Sequence, residues 1–173
     1  MSENRLLVIR AAALSDIDVL FQIRTSVRDN HLSMEQLASL GITPETLPEM
    51  LSYPGHGWVA ELDGRMIAFS MANAQEATVF ALFVRPECEG KGAGRRLMAE
   101  TEEWLFAQGC KEIWLSTDSD RSVRANGFYR HLGWQDKGLL EDGQVRFTKQ
   151  HQFREQAWHI DQTNRLETGS SKP

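Results

Sequence analysis

Residues 78–97 leave this chain few folds to choose from. An apolar run at residues 79–84 is long enough for one buried strand. Pro86 follows, removing a backbone donor and disfavouring continued pairing. Gly90, Gly92 and Gly94 then stand at alternate positions, and an amphipathic segment of helical length comes after them. A strand, a glycine turn and a helix start gather free backbone N–H groups at the positive end of a helix dipole. Turns of this kind bind phosphate, and Lys91, Arg95 and Arg96 add positive charge beside this one. The stretch reads as a cradle for a phosphorylated cofactor.

Spacing narrows the cofactor. A P-loop requires G-x-x-x-x-G-K-S/T, but here Gly92 follows Lys91 and Arg85 stands where the first glycine belongs. A dinucleotide fold requires G-x-G-x-x-G, and Arg95 occupies the place of its last glycine. Neither pattern fits.

The chain has 173 residues, a length that suits a single domain burying roughly 70% of its unfolded surface. The balance of 24 acidic against 19 basic residues argues against a protein held to nucleic acid by phosphate contacts. Cys88 and Cys110 show neither metal-ligand spacing nor a disulfide framework, and a reducing compartment is the simplest reading. No Glu/His cluster has metal spacing either. The N-terminus lacks an apolar h-region and no apolar run reaches spanning length. The expectation is a soluble, cytoplasmic protein that contacts no membrane.

Residues 6–11 read as a first strand. Ser15 with Asp18 resembles a capping box opening a helix that carries Ile17, Leu20, Phe21, Arg24 and Val27 at helical spacing and stops near Asn30. A short helix at residues 35–40 and another from Thr43-Pro44 to about Ser52 follow, then a loop at residues 53–57. Residues 58–62 and 65–74 make a hairpin around Asp63-Gly64. After the glycine turn, residues 94–108 form a helix with Leu97, Met98, Thr101 and Leu105 on one face and Gly109 as its stop. A strand at residues 111–116, a helix at residues 122–131 and a closing pair of strands at residues 134–137 and 144–149 complete a domain over residues 1–150. The polar tail beyond it, residues 151–173, carries a few apolar residues that suit packing on the domain or on a neighbour.

Glu89-Gly90-Lys91-Gly92-Ala93-Gly94 resembles the acetyl-CoA signature Q/R-x-x-G-x-G/A of the GNAT superfamily of N-acetyltransferases, departing from it at Glu89. Further on, Ala125-Asn126-Gly127-Phe128-Tyr129, followed by Gly133-Trp134, is similar to the superfamily's A-x-x-F-Y-x-x-x-G-F/W motif. The resemblance covers residues 79–134 and implies an α/β fold of mixed α+β type, with a mixed central sheet of about seven strands and helices on both faces. It implies acetyl-CoA as cosubstrate and acetyl transfer to a primary amine of a small molecule or peptide, by direct attack in a ternary complex. By the same resemblance, the main chain of Leu82, Phe83 and Val84 holds the thioester, and Glu89, Gly90, Lys91, Gly92, Ala93, Gly94 and Arg95 hold the phosphates. Ser122 stands where relatives often place an asparagine on the cofactor, and Asn126 is a candidate to take its place. Tyr129 matches the usual proton donor to the leaving sulfur; its alternative is a half-buried packing residue beside Phe128. Glu76 is the leading candidate for the base, with an exposed turn carboxylate as the alternative; His31 and His56 are weaker candidates. Trp58, Phe69 and Met71 either line an apolar acceptor pocket or pack in the core. Dimers are common in the superfamily, so a homodimer is an expectation by analogy. A non-catalytic acyl-CoA binding or sensing module stays open as the other reading.

Overall fold

The computed structural model describes residues 5–120 and 124–152. Its strands are β1 (Leu7–Ala11), β2 (Gly55–Leu62), β3 (Arg65–Asn73), β4 (Thr78–Val84), β5 (Glu112–Asp118), β6 (Gln135–Leu139) and β7 (Gln144–Gln150). The helices are α1 (Ile17–Ser26), α2 (Met34–Ser39), α3 (Leu47–Met50), α4 (Ala93–Ala107) and α5 (Arg124–His131). One seven-stranded sheet has the order β1-β2-β3-β4-β5-β7-β6, and every pairing is antiparallel except that of β4 with β5. Among the described residues no helix is long and apolar enough to cross a membrane.

Helix α4 packs across β2, β3 and β4 from one face of the sheet, burying the expected Leu97, Met98, Thr101 and Leu105. Burial of each such Leu or Met contributes roughly 2 kcal/mol. Thr101 also meets Ser70 of β3 through a buried hydroxyl pair at 2.8 Å. Helices α1, α2 and α3 cover the other face, where Leu20, Phe21, Ile23, Leu37 and Leu47 pack on Val59, Phe69 and Met71.

Four local expectations are corrected. A 3₁₀ turn, Leu14–Asp16, precedes α1, and Asp16 rather than Ser15 closes it by accepting the Ala13 amide at 2.7 Å. Asp16 is preferred because it also pairs with Arg10, at 2.7 Å. Helix α1 ends at Ser26, and Val27 is already extended. The helix expected from Thr43 is a turn followed by the four-residue α3, because Thr46 folds back onto Thr43 through its hydroxyl. Gly55, His56 and Gly57 belong to β2 rather than to a loop. A Cβ at Gly55 would fall 2.0 Å from the Met50 carbonyl oxygen, and one at Gly57 would fall 2.5 Å from Leu51 Cδ2. These glycines let the end of α3 lie on the strand.

Candidate active site

Strands β4 and β5 run parallel, yet only Thr78 and Trp114 are in register. That end is pinned. Thr78 Oγ1 donates to the Trp114 carbonyl at 3.0 Å, the Trp114 amide to Ala77 O at 2.9 Å and its indole N–H to Glu76 O at 3.0 Å. Beyond it β4 is held by β3 and β5 by β7, so the two strands separate. A cleft of about 930 Å³ opens between residues 79–84 and Leu115, Ser116 and Thr117. One edge of β4 beyond Thr78 therefore pairs with no strand among the described residues. Backbone groups there are open to an extended ligand carrying its own amides.

The cleft reaches the glycine turn, where Glu89, Gly90, Gly92, Ala93, Gly94 and Arg95 line it. Gly90 and Gly92 have φ of 73° and 84°, a region costly to residues with a side chain, and they turn the chain into α4. Among the described residues the amides of residues 90–95 have no hydrogen-bond acceptor, and they stand at the positive end of a 15-residue helix. A pyrophosphate fits this donor set. Arg95 adds a cation to the wall, but Arg96 faces away and donates through Nη1 to Leu7 O of β1. Lys91 is exposed, its ammonium 3.4 Å from Glu87 O, and it is absent from the cleft wall.

Helix α5 delivers Phe128 and Tyr129 into the opening. Tyr129 is 8% exposed. Its ring packs on Phe128, Phe147 and Trp134 at centroid distances of 5.3, 5.8 and 6.2 Å. Burial pushes its phenol well above the ordinary tyrosine value, so it stays protonated and able to donate at neutral pH. Leu82, Phe83 and Val84 all line the cleft, as does the buried Cys88.

Asn126 has a different placement from the expected one. Its Nδ2 donates to the carbonyls of Asp118 and Asp120, both at 2.9 Å, clamping the segment after β5, and it is absent from the cleft wall. Ser122 lies outside the described residues, as does the tail beyond residue 152.

A second pocket, of about 350 Å³, lies between the sheet and helices α1, α2 and α3. Leu20, Phe21, Leu37, Leu47, Phe69 and Met71 give it an apolar wall. Phe80, Ala81 and Phe83 line both this pocket and the cleft. Their strand is distorted there: the β3–β4 register moves from Met71↔Ala81 to Ala72↔Val79, leaving Phe80 as an extra residue, 45% exposed. Glu76 lines the same pocket from the β3–β4 turn, whose shape is set by Asn73 Oδ1 accepting the Gln75 and Glu76 amides at 2.9 and 3.1 Å. Arg24 of α1 lines it too.

Of the residues expected near an acceptor, Phe69 and Met71 line this pocket, whereas Trp58 packs with His56 and Trp104 on the α4 side. His56 stacks on Trp104 at 5.2 Å, and burial pushes its imidazole below the usual value. His31 Nδ1 lies 3.0 Å from Val27 O, and neither histidine lines the cleft or the pocket. Among the described residues no group of three or more His, Cys, Asp or Glu side chains could hold a metal ion. Arg24, Phe80 and the segment Val27, Arg28, Asp29 and Asn30 that borders the cleft were not legible as site residues. Only Arg24 carries a local signal, being an arginine within an otherwise apolar helical stripe.

The family model for the acetyltransferase (GNAT) family matches residues 22–134. An uncharacterized N-acetyltransferase of Methanocaldococcus jannaschii is 32% identical over 99 residues, which span 53% of this chain and 63% of that relative's own length. The PaiA N-acetyltransferase of Thermoplasma acidophilum, solved in complex with coenzyme A, superposes with a TM-score of 0.71 at 18% identity, covering 84% of this chain and 99% of that one. The ribosomal-protein-S18-alanine N-acetyltransferase of Escherichia coli superposes at 0.63 with 16% identity, over 83% and 91% of the two chains.

Proposed function

The chain belongs to the acetyltransferase (GNAT) family, and we propose that it moves an acetyl group from acetyl-CoA to a primary amine held in the apolar pocket, by direct attack in a ternary complex. The observation that carries this reading is the shared wall. Phe80, Ala81 and Phe83 line both the cleft and the pocket, so reactants held in the two spaces meet at one strand and need no covalent relay. The fold it shares with a structure solved with coenzyme A supports the assignment of the cleft.

The residues divide the work. Amides of residues 90–95 and the Arg95 guanidinium bind the pyrophosphate, and the open edge of β4 at Leu82, Phe83 and Val84 pairs with the amide-bearing arm. Bound acetyl-CoA supplies a thioester: the amine nitrogen bonds to the acetyl carbon, the carbon–sulfur bond breaks, and CoA leaves as its thiol. Glu76 takes the proton that the ammonium must lose, directly or through one water. Tyr129, protonated at neutral pH, hydrogen-bonds the departing sulfur as it takes up the second proton, the one the nitrogen sheds as the amide forms.

Initial rates of thiol release, with acetyl-CoA and amine varied together, test this. Intersecting double-reciprocal lines are expected. Parallel lines would indicate an acyl-enzyme, and tight acetyl-CoA binding without turnover of any amine would leave a binding module in place of an enzyme.

A further inference from the structure

We propose that the acceptor is a small apolar amine that also carries a carboxylate, and that Arg24 receives that carboxylate. The inference rests on the acetyl-transfer reading above and names the substrate class of the same site.

Arg24 occupies an inward position on α1, one turn beyond Leu20 and Phe21, which both line the pocket. Its guanidinium carbon lies 4.2 Å from the Phe83 ring centroid, against the wall shared with the cleft. One internal hydrogen bond is made, from Nη1 to Asn30 O at 3.0 Å. A guanidinium has five N–H donors, and among the described residues no carboxylate stands within ion-pair distance of this one. Arg10 shows the contrast, since it is paired with both Asp16 and Glu61. A half-buried cation in an apolar wall, with most of its donors unspent, is costly unless a partner arrives. A carboxylate matches the fork of a guanidinium in two parallel hydrogen bonds.

The other charged residue on the pocket wall is Glu76, and Asn73, which also lines it, spends its Oδ1 on the Gln75 and Glu76 amides. An apolar space with one cation and one carboxylate on its wall complements a zwitterion with an apolar body. At about 350 Å³ it stands at the small end of ligand pockets, which suits a molecule of amino-acid size. A polyamine is disfavoured, because each added ammonium would face Arg24.

The test uses the full chain with saturating acetyl-CoA and matched probes: leucine, leucinamide and isoamylamine; phenylalanine, phenylalaninamide and phenethylamine; and spermidine. The acids are expected to exceed their amides and decarboxylated amines in kcat/KM by at least tenfold. In Arg24→Gln that advantage should vanish through KM, with each acid losing at least tenfold more than its amide, and Arg24→Lys should restore part of it. Equal rates for acid and amide, a preference for spermidine, or an equal loss on all probes in Arg24→Gln would overturn the inference. So would acetyl-CoA binding with no probe turned over. Calorimetric binding of acetyl-CoA, measured alongside, separates the two levels: no binding in the wild type, or binding with no probe turned over, removes the transfer reading itself, whereas binding with turnover of the amides or amines but no preference for the acids confines the failure to the carboxylate.

Discussion

Replacing Tyr129 by Phe removes one oxygen and leaves the ring in place. That ring is held 5.3 Å from Phe128 and 5.8 Å from Phe147 between centroids, so the packing it contributes survives the change. Its hydroxyl meets no polar partner among the described residues, and burying a hydroxyl unpaired costs roughly 1–3 kcal/mol. Because Tyr129 lines the cleft, the low end applies. The variant is therefore expected to match the wild type in stability or to gain up to about 1 kcal/mol, equivalent to a Tm rise of about 2–4 °C. Turnover should move the other way. A positioned proton donor contributes roughly 10²–10⁴-fold. Burial makes the Tyr129 phenol a reluctant acid that acts mainly by hydrogen bonding, so a loss near 10²-fold in kcat is expected, about 2.7 kcal/mol. The acetyl-CoA dissociation constant should stay within about twofold. Thiol release, calorimetry and a thermal scan on one preparation measure all three. Full kcat in the variant would refute the donor role, and a joint fall in affinity and Tm would show that the hydroxyl serves packing instead.

Gly55→Ala places a Cβ 2.0 Å from the Met50 carbonyl oxygen, a backbone atom that cannot swing aside; a destabilisation of about 1–3 kcal/mol is expected in urea unfolding. Gly92→Ala meets no atom within 4 Å but must hold φ near 84°, a strain of about 1–2 kcal/mol. Gly94→Ala makes only ordinary contact with Phe128 at 3.5 Å. Acetyl-CoA affinity should therefore fall further in Gly92→Ala than in Gly94→Ala, and equal losses would contradict the role assigned to the turn. The Arg10 guanidinium holds the Asp16 carboxyl below its ordinary value, so the stability this pair contributes is present above about pH 4 and lost as pH falls through the lower folded value. With Arg10 partly exposed, Asp16→Asn should cost about 1–2 kcal/mol at pH 7; in chemical denaturation the deficit should shrink below pH 4, and one that persists unchanged to pH 2 would refute the assignment.

The glycine turn and the Phe128–Tyr129 pair are readable because each is a local signal: positive φ demands glycine, and one helical turn sets what shares a face. The apolar pocket is not readable, because α1, α2, α3 and β3 each supply part of its wall and each part reads as ordinary core. Gly55-His56-Gly57 misleads for a definite reason. Glycines that allow close approach of α3 to a strand look the same in sequence as glycines that make a loop. Asn126 shares a helix turn with Tyr129, as expected, yet the carbonyls of Asp118 and Asp120 claim its amide. The two-sided wall at Phe80 depends on a register shift against β3, which nothing local in residues 78–84 announces.

Calorimetric titration with acetyl-CoA, with NAD and ATP as controls, tests the account most directly, since everything assigned to the cleft depends on what fills it. Saturable one-to-one binding of acetyl-CoA, with no heat from NAD or ATP, is the predicted result. Absence of acetyl-CoA binding, or binding of NAD in its place, would contradict the assignment of the cleft and of the transfer built on it.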